Sequence, residues 1–261
     1  MTRVALITGG AQGIGAATAK QFLQDGFAGV VLLDRNADRL ATEADALRKF
    51  GRVETLVAEL SNSATPALAV TFTLEKFGRL DVLVNAAGNT ARGGIADVTS
   101  ENYHALFSVN VMAPLFMMQE ASKIMVAAKS GVIINVGSMI AYGGPPNLAA
   151  YSATKAALVA LTKHAGNTFK RDGVRAFCVN LGWVNTEGER SLQTSFHGLP
   201  EEWHEAIGKR MPSGRLIVPE DVAGLMAYLV SPSAQMMNGT VIDFEQMPNG
   251  TFDVHPALGP E

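Results

Sequence analysis

A doubly wound α/β fold, with a central parallel sheet covered by helices on both faces, is predicted by three features of the chain. Short apolar runs alternate with longer helix-forming stretches, the runs are apolar almost throughout, and a glycine-rich turn follows the first of them. Near-continuous apolarity, as in Gly29-Val30-Val31-Leu32-Leu33, suits strands buried on both faces, because a sheet with one wet face alternates instead.

Strands are expected at Val4 to Ile7, Gly29 to Leu33, Val53 to Val57, Val82 to Asn85, Gly131 to Val136, Arg175 to Asn180 and Thr240 to Phe244. Helices are expected between them at Ala16 to Asp25, Arg39 to Phe50, Thr65 to Phe77, Glu101 to Lys129, Ala153 to Arg171 and Pro219 to Val230, with Ser100 and Asp221 as helix starts. With 261 residues, 48% of them hydrophobic, the chain reads as a single domain, residues 1–261. Gly182 to Arg215 breaks the strand-helix rhythm and is expected to be an irregular insert over the substrate. The tail from Pro248 to Glu261 reads as an extended surface or interface arm.

A formal net charge of -3 provides no polycationic surface for nucleic acid or anionic lipid, so the expected partner is a small diffusible molecule. No apolar run approaches the roughly 18 residues of a membrane span, and no secretory signal is read at the N-terminus. Cys178, the single cysteine, lies in an apolar run and is expected to be a buried small hydrophobe in a reducing cytoplasm. His197 and His204 lack a metal-ligand spacing and a third ligand, so no catalytic metal is expected.

The turn Thr8-Gly9-Gly10-Ala11-Gln12-Gly13-Ile14-Gly15 stands between the first strand and a helix. Gly9 allows a tight turn, Gly13 lets backbone approach a pyrophosphate, and Gly15 allows close packing, while the helix N-terminus presents free N–H groups. Asp34 ends the second strand, 19 residues after Gly15, where a carboxylate can bind the adenosine ribose. A 2'-phosphate there meets like charge; Arg35 offsets it only partly and Gln12 supplies no cation, so NAD is expected rather than NADP. Asn85-Ala86-Ala87-Gly88 ends the fourth strand in small residues; alone it is equally an ordinary turn.

Ser138 follows the fifth strand, and Tyr151 and Lys155 stand four apart on the next helix. A cation on the same helix face favours phenolate, which lets a tyrosine take an alcohol proton near neutral pH. Seen alone, such a pair is commonplace on protein surfaces; beside a nucleotide turn it reads as chemistry.

Together these motifs resemble the short-chain dehydrogenase/reductase family, in its single-domain branch, over nearly the whole chain. The resemblance implies a Rossmann fold and hydride transfer between a nicotinamide cofactor and an alcohol or carbonyl. It implies that Tyr151 is the acid/base, that Lys155 assists it and binds the nicotinamide ribose, that Ser138 orients substrate and that Asn110 holds a relay water. It places Gln12, Ile14, Arg35, Glu59, Leu60, Asn85, Ala86, Gly88, Val184 and Thr186 in the cofactor site with Gly9, Gly13, Gly15 and Asp34. It also implies a homotetramer or homodimer, the tetramer preferred, joined through the helices at Glu101 to Lys129 and Ala153 to Arg171.

The sequence departs from the family pattern at Glu59-Leu60 beside the adenine, at Leu181 in place of a proline, and at Phe244-Glu245 in place of two glycines. Asn89, Asn147, Trp183 and Glu189, with Ser138, are the expected substrate contacts; Tyr142, Glu187, Arg190, His197, Trp203 and Glu245 are further polar or aromatic candidates. So many hydrogen-bonding groups suit a sugar or polyol. The alternative is a carbonyl reductase of a keto acid or acyl thioester, which a strongly basic pocket would favour.

Overall fold

The computed structural model describes residues 3–248. Seven strands, β1 (Val4–Thr8), β2 (Gly29–Asp34), β3 (Val53–Val57), β4 (Val82–Asn85), β5 (Gly131–Val136), β6 (Val174–Leu181) and β7 (Thr240–Phe244), form one sheet in the order β3-β2-β1-β4-β5-β6-β7. Every neighbouring pair is parallel. Alternate side chains of each strand feed two cores. Ala5, Ile7, Val30, Leu32, Val84 and Ile134 lie in one, and Leu6, Val31, Leu33, Leu83 and Ile133 in the other.

Helices α1 (Gly13–Gln24), α2 (Ala37–Leu47) and, later in the chain, α9 (Pro219–Val230) close the first core with Phe22, Leu40 and Met226. On the opposite face lie α3 (Thr65–Phe77), α5 (Ala113–Ala127) and α6 (Ala149–Phe169), contributing Ala69, Met117 and Ala165 to the second. The chain leaves β1 toward β2 and β3, then returns to place β4 on the other side of β1, so the crevice at a strand-order reversal opens where Thr8 and Asn85 stand in register.

Several boundaries differ from the sequence expectation. The expected helix from Glu101 to Lys129 is divided into α4 (Ser100–Phe107), a π-helical turn at Ser108–Met112 and α5. Pro114 lacks the N–H that an α-helix sends to the carbonyl four residues back, that of Asn110, and its ring crowds the same carbonyl; Ala113 N–H bonds to Ser108 instead. Thr99, not Ser100, caps α4 by accepting from Asn102 N–H at 3.2 Å. Asp221 is the third residue of α9 rather than its start. It accepts from Val218 N–H at 2.9 Å and pairs with the Arg215 guanidinium, which holds its carboxyl below the usual carboxylate range.

The stretch 182–215 is not irregular. It holds α7 (Glu187–His197), capped by Thr186, and the short α8 (Trp203–Gly208), which seats Trp203 in the interior. The expected tail arm lies outside the described residues, apart from Pro248. Among the described residues no helix is long and apolar enough to cross a membrane.

Candidate active site

The glycine-rich turn is built by steric necessity. Gly9 has φ +70°, and a Cβ there would stand 2.9 Å from the Ala87 backbone; a Cβ on Gly15 would stand 2.3 Å from the Gly9 carbonyl oxygen. Thr8 ties this turn to the β4 loop, its hydroxyl accepting from the N–H groups of Ala86 and Ala87 at 3.1 Å each. Gln12 provides no side-chain cap to α1, so the first helical N–H groups present a positive, donor-rich edge that fits a pyrophosphate. Asp34 lies against the turn, accepting from Ala11 N–H at 3.3 Å and from Asn36 N–H at 3.0 Å.

Beyond Asp34, Arg35 pairs with Glu59 at 3.9 Å, both exposed, and Leu60 is buried in the second core. Arg39, which the sequence reading passed over, reaches from α2 to the Gln12 side chain and to Glu187 at 3.3 Å, joining the turn to α7. Val184 forms a parallel bridge with Ile217, and the Thr186 methyl group lies 3.3 Å from where a Gly13 Cβ would stand. Ile14 is half-buried against the first core.

At the other end of the crevice, Lys155 is buried and donates to the Val136 carbonyl at 2.8 Å. Its Nζ lies 5.6 Å from the centre of the Tyr151 ring. Asn110, carried by the π-helical turn, accepts from Asn89 N–H at 2.7 Å and donates to the Asn89 carbonyl at 2.8 Å and to Thr154 Oγ1 at 3.1 Å. A Cβ on Gly88 would sit 3.8 Å from Asn110 Oδ1 and 3.9 Å from Lys155 Nζ, so these groups converge around an open backbone. Ser138 accepts from Ile140 N–H at 3.3 Å, while Ser152 donates to the Ile140 carbonyl at 2.6 Å and draws the start of α6, with Tyr151, onto the same turn. Behind them Asn85 donates to Asn135 at 2.8 Å, and Asn135 to Thr162 at 2.9 Å, a buried polar ladder that pins the ends of β4 and β5 to α6.

Of the expected substrate contacts, Trp183 donates to Glu189 at 2.9 Å and stacks on Trp203 with ring centres 4.9 Å apart. Asn89 is occupied within its own loop, its side chain accepting from Ala91 N–H at 2.9 Å, and Asn147 is exposed, its carbonyl accepting from Gly93 N–H. Glu245 folds over Gly182, where a Cβ would fall 1.8 Å from Glu245 Oε2, so the departure at Phe244-Glu245 fills the space beside the β6 loop with a carboxylate. Tyr142 donates to Asp243 at 2.9 Å; desolvation and that carboxylate push its phenol above the ordinary 10.0, which suits a hydrogen-bond donor rather than a base.

Cys178 is fully buried, and burial pushes its thiol from 9.0 up to about 11. At pH 8 that rise makes the thiolate fraction about 100-fold smaller. Alkylation by iodoacetamide at pH 8 is therefore expected to run about 100-fold slower in the folded protein than in the urea-unfolded chain, and equal rates would contradict this burial. Among the described residues no cluster of His, Cys, Asp or Glu is arranged to hold a metal ion.

With this geometry in place, the comparisons with known proteins are specific. A family model described as Enoyl-(Acyl carrier protein) reductase, of the short-chain dehydrogenase type, matches residues 9–245. The chain belongs to the short-chain dehydrogenase/reductase family. A sorbitol dehydrogenase of Cereibacter sphaeroides is 33% identical over 237 residues, 89% of this chain and 91% of that relative. Among solved structures, NAD+-bound xylitol dehydrogenase superimposes with a TM-score of 0.85 at 25% identity, covering 94% of this chain and 98% of the other. An actinorhodin polyketide ketoreductase variant with NADPH superimposes at 0.88 with 27% identity, covering 94% and 96%. The structural relatives thus include both an NAD+ complex and an NADPH complex.

Proposed function

We propose that this chain is an NAD-dependent dehydrogenase that oxidises a secondary alcohol of a sugar or polyol. The convergence of buried Lys155 and Asn110 on Gly88, beside Tyr151 and the Ser138 turn, is the observation that carries the chemistry. Gly9, Gly13 and Gly15 with the start of α1 hold the pyrophosphate, Asp34 holds the adenosine ribose, and Asn85, Ala86, Gly88, Val184 and Thr186 line the remainder with Ile14 and Gln12. A bound nicotinamide supplies the hydride acceptor.

The substrate hydroxyl gives its proton to Tyr151 Oη, and Ser138 Oγ hydrogen-bonds the same oxygen. The Lys155 ammonium stabilises the Tyr151 phenolate that receives this proton, acting in a buried setting where charge interactions are little screened, and the hydride leaves the same substrate carbon for the nicotinamide as the carbonyl forms. Asn110 holds the loop carbonyl of Asn89 and positions a relay water. Trp183, Glu189 and Asn147 contact the substrate.

The Asp34 carboxylate, held against the turn by Ala11 N–H, supports NAD because a 2'-phosphate there meets like charge. The polyol substrates named for the sorbitol and xylitol relatives support the substrate class. Tyr103, Leu115 and Phe116 leave apolar surface exposed on α4 and α5, which supports a homotetramer joined through these helices; the proposed cytoplasmic setting rests on the single cysteine, Cys178, which can form no intrachain disulfide.

The test follows NADH formation with a panel of alditols and aldoses, using NAD and NADP in parallel. Reduction of NAD by an alditol, at least about tenfold faster than of NADP, is the expected result, that factor being only about 1.4 kcal/mol of discrimination. Turnover confined to keto acids or acyl thioesters with a reduced cofactor would replace this reading with the carbonyl reductase.

A further inference from the structure

Helix α7 carries Glu189, Gln193 and His197 four residues apart, hence along one face. That face meets loops leaving the C-terminal ends of two strands, the side of the sheet where the crevice opens. Glu189 bonds Trp183 on the loop after β6, and also accepts from buried Gln193 at 2.8 Å. His197, at the far end, lies 3.5 Å by its Nε2 from Nη2 of Arg92, on the loop between β4 and α4. The same loop is pinned to the approach to Tyr151, where Gly93 N–H donates to the Asn147 carbonyl and Ala150 N–H to the Gly93 carbonyl. With Thr186 against Gly13 at its start, α7 spans the crevice from the cofactor turn to Arg92.

Arg92 is incompletely partnered in a particular way. Its Nη1 donates to the Thr90 carbonyl at 3.1 Å, but no carboxylate among the described residues pairs with it, and its Nε is buried without an acceptor. Nε and Nη2 form the side-on edge of a guanidinium, which matches the two oxygens of a carboxylate. A buried donor without an acceptor is costly, and an arginine facing a histidine without an acid lacks the charge that would balance it.

We infer that Arg92 and His197 form an anion clamp at the end of the substrate cleft, and that the substrate is a polyol carrying a terminal carboxylate, such as an aldonate. Glu189, held by Trp183 and Gln193, faces the hydroxyls, and the Arg92 guanidinium takes the carboxylate. This rests on the dehydrogenase reading and narrows its substrate.

Two readouts separate the clamp from that reading. The first is kcat/KM for a six-carbon aldonate relative to the alditol of the same length, in the wild type, Arg92→Gln, Arg92→Lys and His197→Gln. The aldonate is expected to be favoured in the wild type, and Arg92→Gln to lower the ratio roughly 10- to 100-fold, the worth of one charged hydrogen bond, with Arg92→Lys recovering part of it. The second needs no turnover. Trp183 and Trp203, the two tryptophans of the chain, report binding by fluorescence during titration with aldonate, alditol, inorganic phosphate and a phosphorylated alditol. Aldonate binding that weakens in Arg92→Gln upholds the clamp even where no alcohol is oxidised, and in that case the dehydrogenase reading alone falls. Alditol turnover with an aldonate ratio indifferent to Arg92→Gln overturns the clamp and leaves the dehydrogenase standing. Binding of the phosphorylated alditol or phosphate in preference to the aldonate overturns the assignment to a carboxylate.

Discussion

Tyr151→Phe is expected to lower kcat with the best alcohol about 10²- to 10⁴-fold, the range for removal of a positioned acid/base. Among the described residues the Tyr151 hydroxyl makes no hydrogen bond within the protein, and the ring is only half-buried at the start of α6. Its removal leaves no stranded partner, so the melting temperature is expected to stay within about 2 °C of the wild type, no more than the shift that a 1 kcal/mol loss produces in a domain of this size. Steady-state NADH formation and a thermal melt check the two halves together. A variant that melts normally and turns over at the wild-type rate would remove Tyr151 from the chemistry. A variant that is inactive because it is unfolded would show that the ring is structural.

The second large effect is expected from Gly15→Ala. The new Cβ would lie 2.3 Å from the Gly9 carbonyl oxygen and 2.8 Å from its carbon, both backbone atoms of the turn, so no side chain can rotate out of the way. The turn must move relative to α1, which costs about 1–3 kcal/mol as for other overpacking changes and displaces the N–H groups proposed to hold the pyrophosphate. Dinucleotide affinity is expected to fall more than tenfold with the stability, read by cofactor titration and by urea unfolding. Gly13 differs in cause: there the nearest obstacle is the Thr186 methyl at 3.3 Å, a side-chain atom that can yield, and a Cβ is opposed instead by the backbone, whose φ is +56°. Wild-type affinity in Gly15→Ala would show that the turn tolerates the shift and that the close approach is incidental.

Much of the fold was legible because its signals are local. Runs such as Val30 to Leu33 are apolar in the way that a doubly covered strand tolerates, and all seven expected strands occur, with no end differing by more than one residue. The π-helical turn was less legible. Pro114 stands four residues after Asn110, but a proline inside an apolar helical stretch equally signals a first turn, and only the completed helix shows which carbonyl it frees. Helix α7 was hidden for a different reason: its exposed, charged surface lacks the apolar stripe that marks a core helix, and its order comes from the Thr186 cap and from Trp183, Gln12 and Arg39 around it.

The candidate site divides in the same way. The order of Gly9, Asp34, Ser138, Tyr151 and Lys155 was readable from the chain, because each answers to a fixed spacing from its own strand end or helix start. Which groups face one another was not. Arg92 stands among glycines and small residues with nothing nearby in sequence to show that it meets His197, 105 residues later. Arg39 offered an ordinary surface helix pattern, yet it joins the cofactor turn to α7. The sequence by itself determined the parallel sheet, the crevice at the β1 and β4 ends, and the family chemistry, since hydrophobic burial and glycine sterics act over a few residues. Only the tertiary structure decided the partnering of Arg92, Arg39, Glu189 and Glu245, because side-chain contacts between loops depend on how the whole sheet brings their ends together.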